Sequence, residues 1–234
     1  MSGPTSAMIL AAGFGTRMGD LVANRPKPMI EVSGRPLIDH ALAQIQQVPI
    51  SQTVVNGHHF ADQLGQHLAG WPKTTFLKEM PDILDSGGAV KNALGILGAG
   101  PIFTLNSDAV WTGAAALQEL QQAWRPDDMD ALLLLVPRVD AVGRLGPGDF
   151  EMAQDGRITL RKRPESLVYT GAQILNGDLL LPYPEGAFSM HRVWDEIAMA
   201  GRLFGVMHHG KWADVGHPEG IALAEEMLRQ DGSV

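Results

Sequence analysis

The 234-residue chain contains no cysteine and carries few basic residues relative to acidic ones. Without cysteine, neither a disulfide framework nor a thiolate metal site can form. With 18 basic against 26 acidic side chains, the formal net charge is -8, which argues against a nucleic-acid surface because such surfaces depend on clustered Lys and Arg. No apolar run is long enough to span a bilayer, and residues 1–6 lack the pattern of a secretory signal. We therefore expect a cytoplasmic protein that binds neither nucleic acid nor membrane.

The composition is otherwise that of an ordinary globular protein, with 45% hydrophobic and 19% charged residues. A chain of this length can bury one α/β core, so we expect a single domain spanning residues 1–234. Residues 52–56 and 74–78 have strand patterns, and residues 60–68 between them show an apolar face at helical spacing. This alternation predicts a mostly parallel sheet with right-handed crossovers and with ligands at the carboxyl ends of its strands.

A glycine-rich turn after the first apolar strand is the most informative stretch. Residues 8–12 form a short uncharged run typical of a strand covered on both faces, and Gly13 and Gly15 follow it. Glycines let backbone N–H groups approach anionic oxygens, and Arg17 adds a guanidinium suited to phosphate. Lys27 lies between two prolines of fixed φ and is a candidate second cation. The alternative is a tight turn that binds no ligand.

The spacing fits neither a dinucleotide-binding fingerprint nor a Walker loop. It resembles the signature of the sugar-1-phosphate nucleotidyltransferases, Leu-x-Ala-Gly-x-Gly-Thr-Arg-Met followed by Pro-Lys-Pro, here at residues 10–18 and 26–28. The resemblance implies a Rossmann-like α/β/α sandwich with a mixed, mainly parallel central sheet, and Mg²⁺ as cofactor. The chain departs from the family at residues 20–22, where Asp-Leu-Val replaces Pro-Leu-Thr; Asp20 would repel phosphates unless its side chain points outward.

The resemblance also implies a set of nucleotide-binding residues in two segments. The second segment is a Ser-Gly-Gly turn that opens a predicted helix and allows a ring to lie flat against the backbone. A glycine-rich helix entry without a ligand is the alternative there. The implied residues are Leu10, Ala11, Ala12, Gly13, Gly15, Thr16, Arg17, Lys27, Ser86, Gly87 and Gly88.

Two acidic residues are candidate Mg²⁺ ligands, since Mg²⁺ takes one or two carboxylates together with substrate phosphates. Asp108 follows an apolar strand at the sheet edge where the glycine-rich turn also lies. Its alternative role is the N-cap of a helix predicted over residues 112–123. Asp214 lies in the run Trp-x-Asp-Val-Gly-x-Pro-Glu, which resembles the family element that supplies a second metal-binding carboxylate. The alternative for Asp214 is a solvated turn.

The second part of the chain has the features expected of an acceptor-sugar half. It contains an aliphatic strand at residues 131–136, a hairpin around residues 155–156, and a strand at residues 169–175 with a glycine at its centre. We therefore expect a nucleotide-binding half over about residues 7–125 and a sugar-binding half over about residues 126–234. The candidate acceptor residues are Asn106, Asp149, Thr170 and Gly171, and loop or bulge roles stay open for the last three.

The implied reaction is attack of a sugar 1-phosphate on a nucleoside triphosphate, with Arg17, Lys27 and Asp108 as catalytic residues. The Trp-x-Asp-Val-Gly ending and the Gly-x-Gly-Asp-Phe stretch at residues 146–150 look most like the N-acetylmuramic acid 1-phosphate uridylyltransferases of cell-wall recycling. Mannose-1-phosphate guanylyltransferases and glucose-1-phosphate thymidylyl- or uridylyltransferases are alternatives. A phosphocholine cytidylyltransferase or a non-catalytic nucleotide-sugar sensor is a second alternative. The expected partners are thus small molecules, and no sequence feature indicates an oligomeric state.

Overall fold

The computed structural model describes residues 3–232, so the ends of the predicted domain at residues 1–2 and 233–234 lie outside the described residues. The strands are β1 (Ser6–Leu10), β2 (Glu31–Val32), β3 (Arg35–Pro36), β4 (Gln52–Gly57), β5 (Thr74–Lys78), β6 (Pro101–Asn106), β7 (Ala109–Trp111), β8 (Ala131–Val136), β9 (Ala141–Val142), β10 (Phe150–Met152), β11 (Ile158–Leu160), β12 (Val168–Asn176), β13 (Leu203–Met207) and β14 (Trp212–Asp214). The α-helices are α1 (Leu37–Ile45), α2 (Ala61–Leu68), α3 (Asp85–Leu97), α4 (Ala116–Ala123), α5 (Met190–Met199) and α6 (Pro218–Gln230). Short 3₁₀ helices occupy Thr16–Val22, Lys27–Met29, Arg138–Asp140 and Gly177–Leu180.

A seven-stranded sheet in the order β13-β8-β12-β6-β1-β4-β5 forms the centre of the fold. Its strand pairs are parallel except those that β12 makes with β6 and β8, which are antiparallel. The expected mixed, mainly parallel sheet is therefore confirmed. The aliphatic strand predicted at residues 131–136 is β8, and all six of its residues are buried, as expected for a strand covered on both faces.

Helices cover both faces of this sheet. Apolar residues of α1, α2 and α4 pack into one core, and those of α3 and α5 pack into a second core on the opposite face. A third, smaller core joins α6 to β14 and to the 3₁₀ segment after β1. This arrangement is the three-layer α/β/α sandwich that the resemblance implied.

The helix predicted over residues 112–123 begins later, at Ala116. Gly113 has a φ of 73°, a left-handed conformation that cannot belong to a right-handed helix. Ala115 is the N-cap residue of α4, so the alternative role of Asp108 as a helix cap is wrong.

A small second sheet in the order β7-β14-β9 brings distant parts of the chain to the carboxyl edge of the central sheet. Asp214 of β14 pairs with Ala109 of β7, and the Val215 N–H donates to the Asp108 carbonyl oxygen at 2.9 Å. Since β7 directly follows β6, this pairing places the two predicted metal-binding carboxylates close together. Within residues 3–232, no helix is long and apolar enough to span a lipid bilayer.

Candidate active site

The glycine-rich turn after β1 wraps around the Lys27 side chain. Gly15 has a φ of 64°, and a Cβ atom there would lie 2.9 Å from the Lys27 Cβ. Glycine is therefore required at this position both by the left-handed backbone and by the close contact. At Gly13, by contrast, no contact requires glycine, because a Cβ atom there would meet no atom within 4 Å. The open space at Gly13 leaves its backbone accessible to a ligand.

Lys27 and Asp108 form an ion pair at the mouth of this turn, with 2.5 Å between Nζ and Oδ2. Lys27 is buried, whereas the Asp108 side chain keeps 31% of its surface exposed. A buried ammonium must be paired to remain charged at low energetic cost. The pair therefore fixes the Lys27 cation at the edge of the sheet, where a polyanion can reach it.

Asp214 lies beside this pair in a more buried position. Burial raises the pKa of its carboxyl, the negative charge of Asp108 raises it further, and the cations Lys27, Arg144 and Arg17 act in the opposite direction. A Cβ atom on Gly216 would lie 2.8 Å from Asp214 Oδ1 and 3.0 Å from Arg17 Nη2. The structure thus brings the two predicted cations and the two predicted carboxylates into one cluster.

The cluster has the donor chemistry that Mg²⁺ requires. Residues 3–232 contain no group of three or more His, Cys, Asp or Glu side chains that could hold a metal by themselves. Mg²⁺ commonly takes only one or two protein carboxylates and completes its shell with water and substrate phosphates. Asp108 and Asp214 fit that pattern, because the charge of Asp108 disfavours ionisation of Asp214 and a shared cation would relieve the repulsion.

Two cavities meet at this cluster. The first, which we call the turn cavity, has a volume of about 350 Å³ and lies over the glycine-rich turn. All of the predicted nucleotide-binding residues line it except Gly87 and Gly88. Asp20, the residue that departs from the family signature, is exposed and lines neither cavity. Its side chain therefore points away from the site, as the resemblance required.

Gly87 and Gly88, which were predicted to bind the nucleotide, do not line the turn cavity and make packing contacts. Both N–H groups donate to the Phe188 carbonyl oxygen, at 2.9 and 3.1 Å. A Cβ atom on Gly88 would lie 2.2 Å from the Gly186 carbonyl oxygen, and one on Gly87 would lie 2.5 Å from the Phe188 ring. These glycines therefore allow α3 to approach residues 186–188. Ser86 does line the turn cavity, and its Oγ accepts a hydrogen bond from the Met190 N–H.

The second cavity, which we call the sheet cavity, has a volume of about 270 Å³. Three of the candidate acceptor residues, Asn106, Asp149 and Thr170, line it together with Asp108 and Asp214.

The predicted residue Gly171 does not reach the sheet cavity. Its φ is 88°, a Cβ atom there would lie 2.9 Å from the Asn106 Cβ, and the register of β12 against β8 shifts at this point. This glycine marks a β-bulge and a contact with Asn106, so the bulge alternative is the correct one.

The sequence did not single out Arg144, which lines the sheet cavity. Its Nη2 donates to Asp149 Oδ1 at 2.7 Å, and its Nη1 lies 4.0 Å from Asp214 Oδ2. Its buried Nε has no hydrogen-bond partner in the described part of the chain. The sequence feature that could have identified Arg144 is its position close to the Gly-Pro-Gly stretch that precedes Asp149.

A buried polar network under the sheet cavity was also missed. The Trp194 indole N–H donates to Gln173 Oε1 at 2.8 Å, and Gln173 Nε2 donates to Thr104 Oγ1 at 3.0 Å. Tyr169 hydrogen-bonds to Thr104 as well, and burial raises the pKa of the tyrosine hydroxyl far above its usual range. These residues lie on three elements, so no local sequence pattern links them.

A comparison with known families identifies the class. The chain belongs to the family of MobA-like NTP transferase domains, whose model matches residues 7–142. That range contains the glycine-rich turn, Lys27 and Asp108. The chain is therefore a nucleotidyltransferase, and the resemblance found in the sequence is confirmed.

Individual relatives narrow the comparison. The chain is 36% identical to an N-acetylmuramate alpha-1-phosphate uridylyltransferase of Caulobacter vibrioides, over 97% of this chain and 98% of the relative. It is 30% identical to the enzyme of the same name from Neisseria meningitidis, over 90% and 92% of the two chains. Among solved structures, the inositol-1-phosphate CTP transferase of T. maritima matches with a TM-score of 0.79 over 97% of both chains, at 15% identity. That last similarity concerns the fold alone.

Proposed function

We propose that the protein transfers a uridylyl group from UTP to N-acetylmuramic acid α-1-phosphate and releases pyrophosphate, a step of peptidoglycan recycling. The observation that carries the proposal is the cluster of Arg17, Lys27, Asp108 and Asp214 at the junction of two cavities. The relatives of nearly equal length supply the choice of substrates. In this proposal the nucleotide occupies the turn cavity and the sugar phosphate occupies the sheet cavity.

The reaction needs no protein nucleophile. An anionic oxygen of the sugar phosphate attacks the α-phosphorus of the triphosphate and forms a new P–O bond. The bond between the α-phosphorus and the α,β-bridging oxygen breaks, and pyrophosphate leaves with that oxygen. The protein then contributes positioning and charge neutralisation. Lys27 is held in place by its ion pair with Asp108, and Arg17 lines both cavities. Both cations can therefore neutralise triphosphate oxygens without a large rearrangement.

In this proposal Asp108 and Asp214 hold Mg²⁺. When bound, the ion would neutralise phosphate oxygens of donor and acceptor. Asp214 suits this role because it is buried beside a second carboxylate. Asp149 is not one of the proposed Mg²⁺ ligands. Its carboxylate accepts hydrogen bonds from Arg144 and, at 3.1 Å, from the Tyr169 N–H.

The lining of the sheet cavity supports an anionic acceptor. Arg144 lines this cavity, and the planar fork of its guanidinium suits phosphate or carboxylate oxygens. Asp149 orients the guanidinium. Asn106 and Thr170 add polar groups to the same wall. These contacts suit a phosphorylated sugar better than a neutral acceptor.

The test is pyrophosphate release by the purified chain over a panel of substrates. UTP, GTP, CTP and dTTP are each paired with the 1-phosphates of N-acetylmuramic acid, N-acetylglucosamine, mannose and glucose, with Mg²⁺ or with EDTA. We expect the highest kcat/KM for UTP with N-acetylmuramic acid 1-phosphate, and no release in EDTA. Preference for GTP with mannose 1-phosphate would instead support the guanylyltransferase alternative. Nucleotide binding without turnover of any pair would support the sensor alternative.

A further inference from the structure

A buried carboxylate that the proposed chemistry does not use lies next to the turn cavity. Glu79 directly follows β5 and is only 2% exposed. Its Oε1 accepts a hydrogen bond from Asn56 Nδ2 at 2.8 Å, and its Oε2 accepts one from the Leu84 N–H at 2.9 Å. Burying a carboxylate is costly unless it is well hydrogen-bonded. Each carboxylate oxygen of Glu79 therefore holds a defined partner.

Asn56 extends this contact to the glycine-rich turn. It is buried in β4, and its Oδ1 accepts a hydrogen bond from the Ala11 N–H at 2.7 Å. Ala11 is the first residue after β1 and lines the turn cavity, as does Asn56 itself. The contacts thus run from Ala11 through Asn56 and Glu79 to Leu84, across the carboxyl ends of three neighbouring strands. We call this series of hydrogen bonds the relay.

The Leu84 end of the relay reaches the second wall of the cavity. Leu84 is the residue before α3, and Ile83, Asp85 and Ser86 around it line the turn cavity. The Leu84 N–H is therefore anchored by the same carboxylate that is connected to Ala11. Two cavity walls that are far apart in sequence are therefore connected by the side chains of Asn56 and Glu79.

We propose that Glu79 is a positioning residue for nucleotide binding, which acts through Asn56 and Leu84 to set the distance between the glycine-rich turn and the residue 83–86 segment. The proposal rests on the nucleotide occupying the turn cavity and not on the identity of the acceptor. Lengthening or reversing a hydrogen bond in the relay displaces backbone that faces the nucleotide. The sugar phosphate, in the other cavity, is affected less.

The direction of the hydrogen bonds gives a specific test. In Glu79→Gln the new amide must turn its NH₂ toward a donor, either the Leu84 N–H or Asn56 Nδ2, so one buried contact is lost. In Asn56→Asp two carboxyl groups face each other, and while both are ionised they repel, so the contact between them is lost. The double variant restores every contact. In the double variant, the carboxylate introduced at position 56 accepts hydrogen bonds from the Ala11 N–H and from the amide NH₂ introduced at position 79. The oxygen of that amide accepts a hydrogen bond from the Leu84 N–H.

The experiment measures the Kd for UTP by calorimetry without acceptor, together with the KM for each substrate and kcat. Each single variant is expected to raise the Kd for UTP at least about tenfold, which corresponds to about 1.4 kcal/mol, with a smaller change in the acceptor KM. The double variant should return to within about twofold of the unsubstituted chain, because the two changes are coupled. Thr53→Val is the control. Thr53 is a buried residue of β4 that lines neither cavity, so this substitution should leave the Kd for UTP unchanged.

Unchanged affinity in both single variants, or a double variant as weak as the singles, would overturn the positioning role. Circular dichroism of each variant shows whether it is folded, and a folded double variant beside unfolded singles assigns the relay to folding and rejects the proposal. If the unsubstituted chain does not bind UTP, the choice of nucleotide is wrong. The same variants are then compared with the triphosphate that gives the highest kcat/KM in the substrate panel, or that binds if none turns over.

Discussion

The turn cavity and the sheet cavity are built in different ways. The turn cavity has one wall of closely spaced residues from the glycine-rich turn, and Lys27 and Asp108, which also line it, form an ion pair there. The sheet cavity is formed by side chains from β6, β12, α5, β14 and the loop at Arg144. A polyphosphate can be bound by repeated backbone N–H groups, whereas an individual sugar requires separately placed side chains. Under the proposed function, the turn cavity would therefore bind the triphosphate that all nucleoside triphosphates share, and the sheet cavity would determine which acceptor is bound.

The largest effect that this comparison predicts is at Lys27. Lys27→Ala removes the cation that faces the triphosphate in the proposed mechanism, and it leaves Asp108 without this partner. We expect kcat/KM to fall about 100- to 1000-fold, the typical loss for one electrostatic contact to the transition state. Lys78→Ala is the matched control, since Lys78 pairs with Asp62 on the surface and should change kcat/KM little. Near-normal turnover by Lys27→Ala would remove Lys27 from the mechanism.

A change at Arg144 should affect the other cavity. Arg144→Gln removes the guanidinium that lines the sheet cavity and pairs with Asp149. Charged hydrogen bonds contribute about 1.5–3 kcal/mol, so we expect the KM for the sugar phosphate to rise by roughly 10-fold or more with the nucleotide KM nearly constant. Arg163→Gln, which breaks an exposed pair with Glu151, is the control. A rise in the nucleotide KM alone would show that the two cavities are not divided as proposed.

The smallest effects come from the two glycines of the turn, and they separate folding from binding. Gly15→Ala forces a left-handed backbone on a residue with a Cβ, beside Lys27, and should lower the free energy of unfolding by about 1–2 kcal/mol. Gly13→Ala meets no neighbouring atom, so we expect a change in stability of no more than about 0.5 kcal/mol but a higher nucleotide KM. Urea unfolding and steady-state kinetics measure the two quantities. An unaltered KM in Gly13→Ala would contradict close approach of the nucleotide at Gly13.

The same contrast explains which parts of the site the sequence predicted. Seven residues of the stretch 10–17 line the turn cavity, and because they are nearly consecutive, their proximity is already contained in the sequence. Arg144 was missed because its role depends on Asp149 and Asp214, which it meets only in the fold. For the Ser-Gly-Gly turn, the sequence did not predict that Gly87 and Gly88 pack against residues 186–188, about a hundred positions away.

By itself the sequence determined the alternating strands and helices and the tight turn after the first strand, because these follow from local periodicity and from glycine and proline at fixed positions; the mixed sheet was implied by the family resemblance. Only the tertiary structure decided that Asp214 lies beside Asp108, that Gly171 makes a bulge and that Glu79 connects two walls of the turn cavity. Such contacts join residues that are distant along the chain, and their geometry is set by strand order and register, which no short stretch of sequence contains.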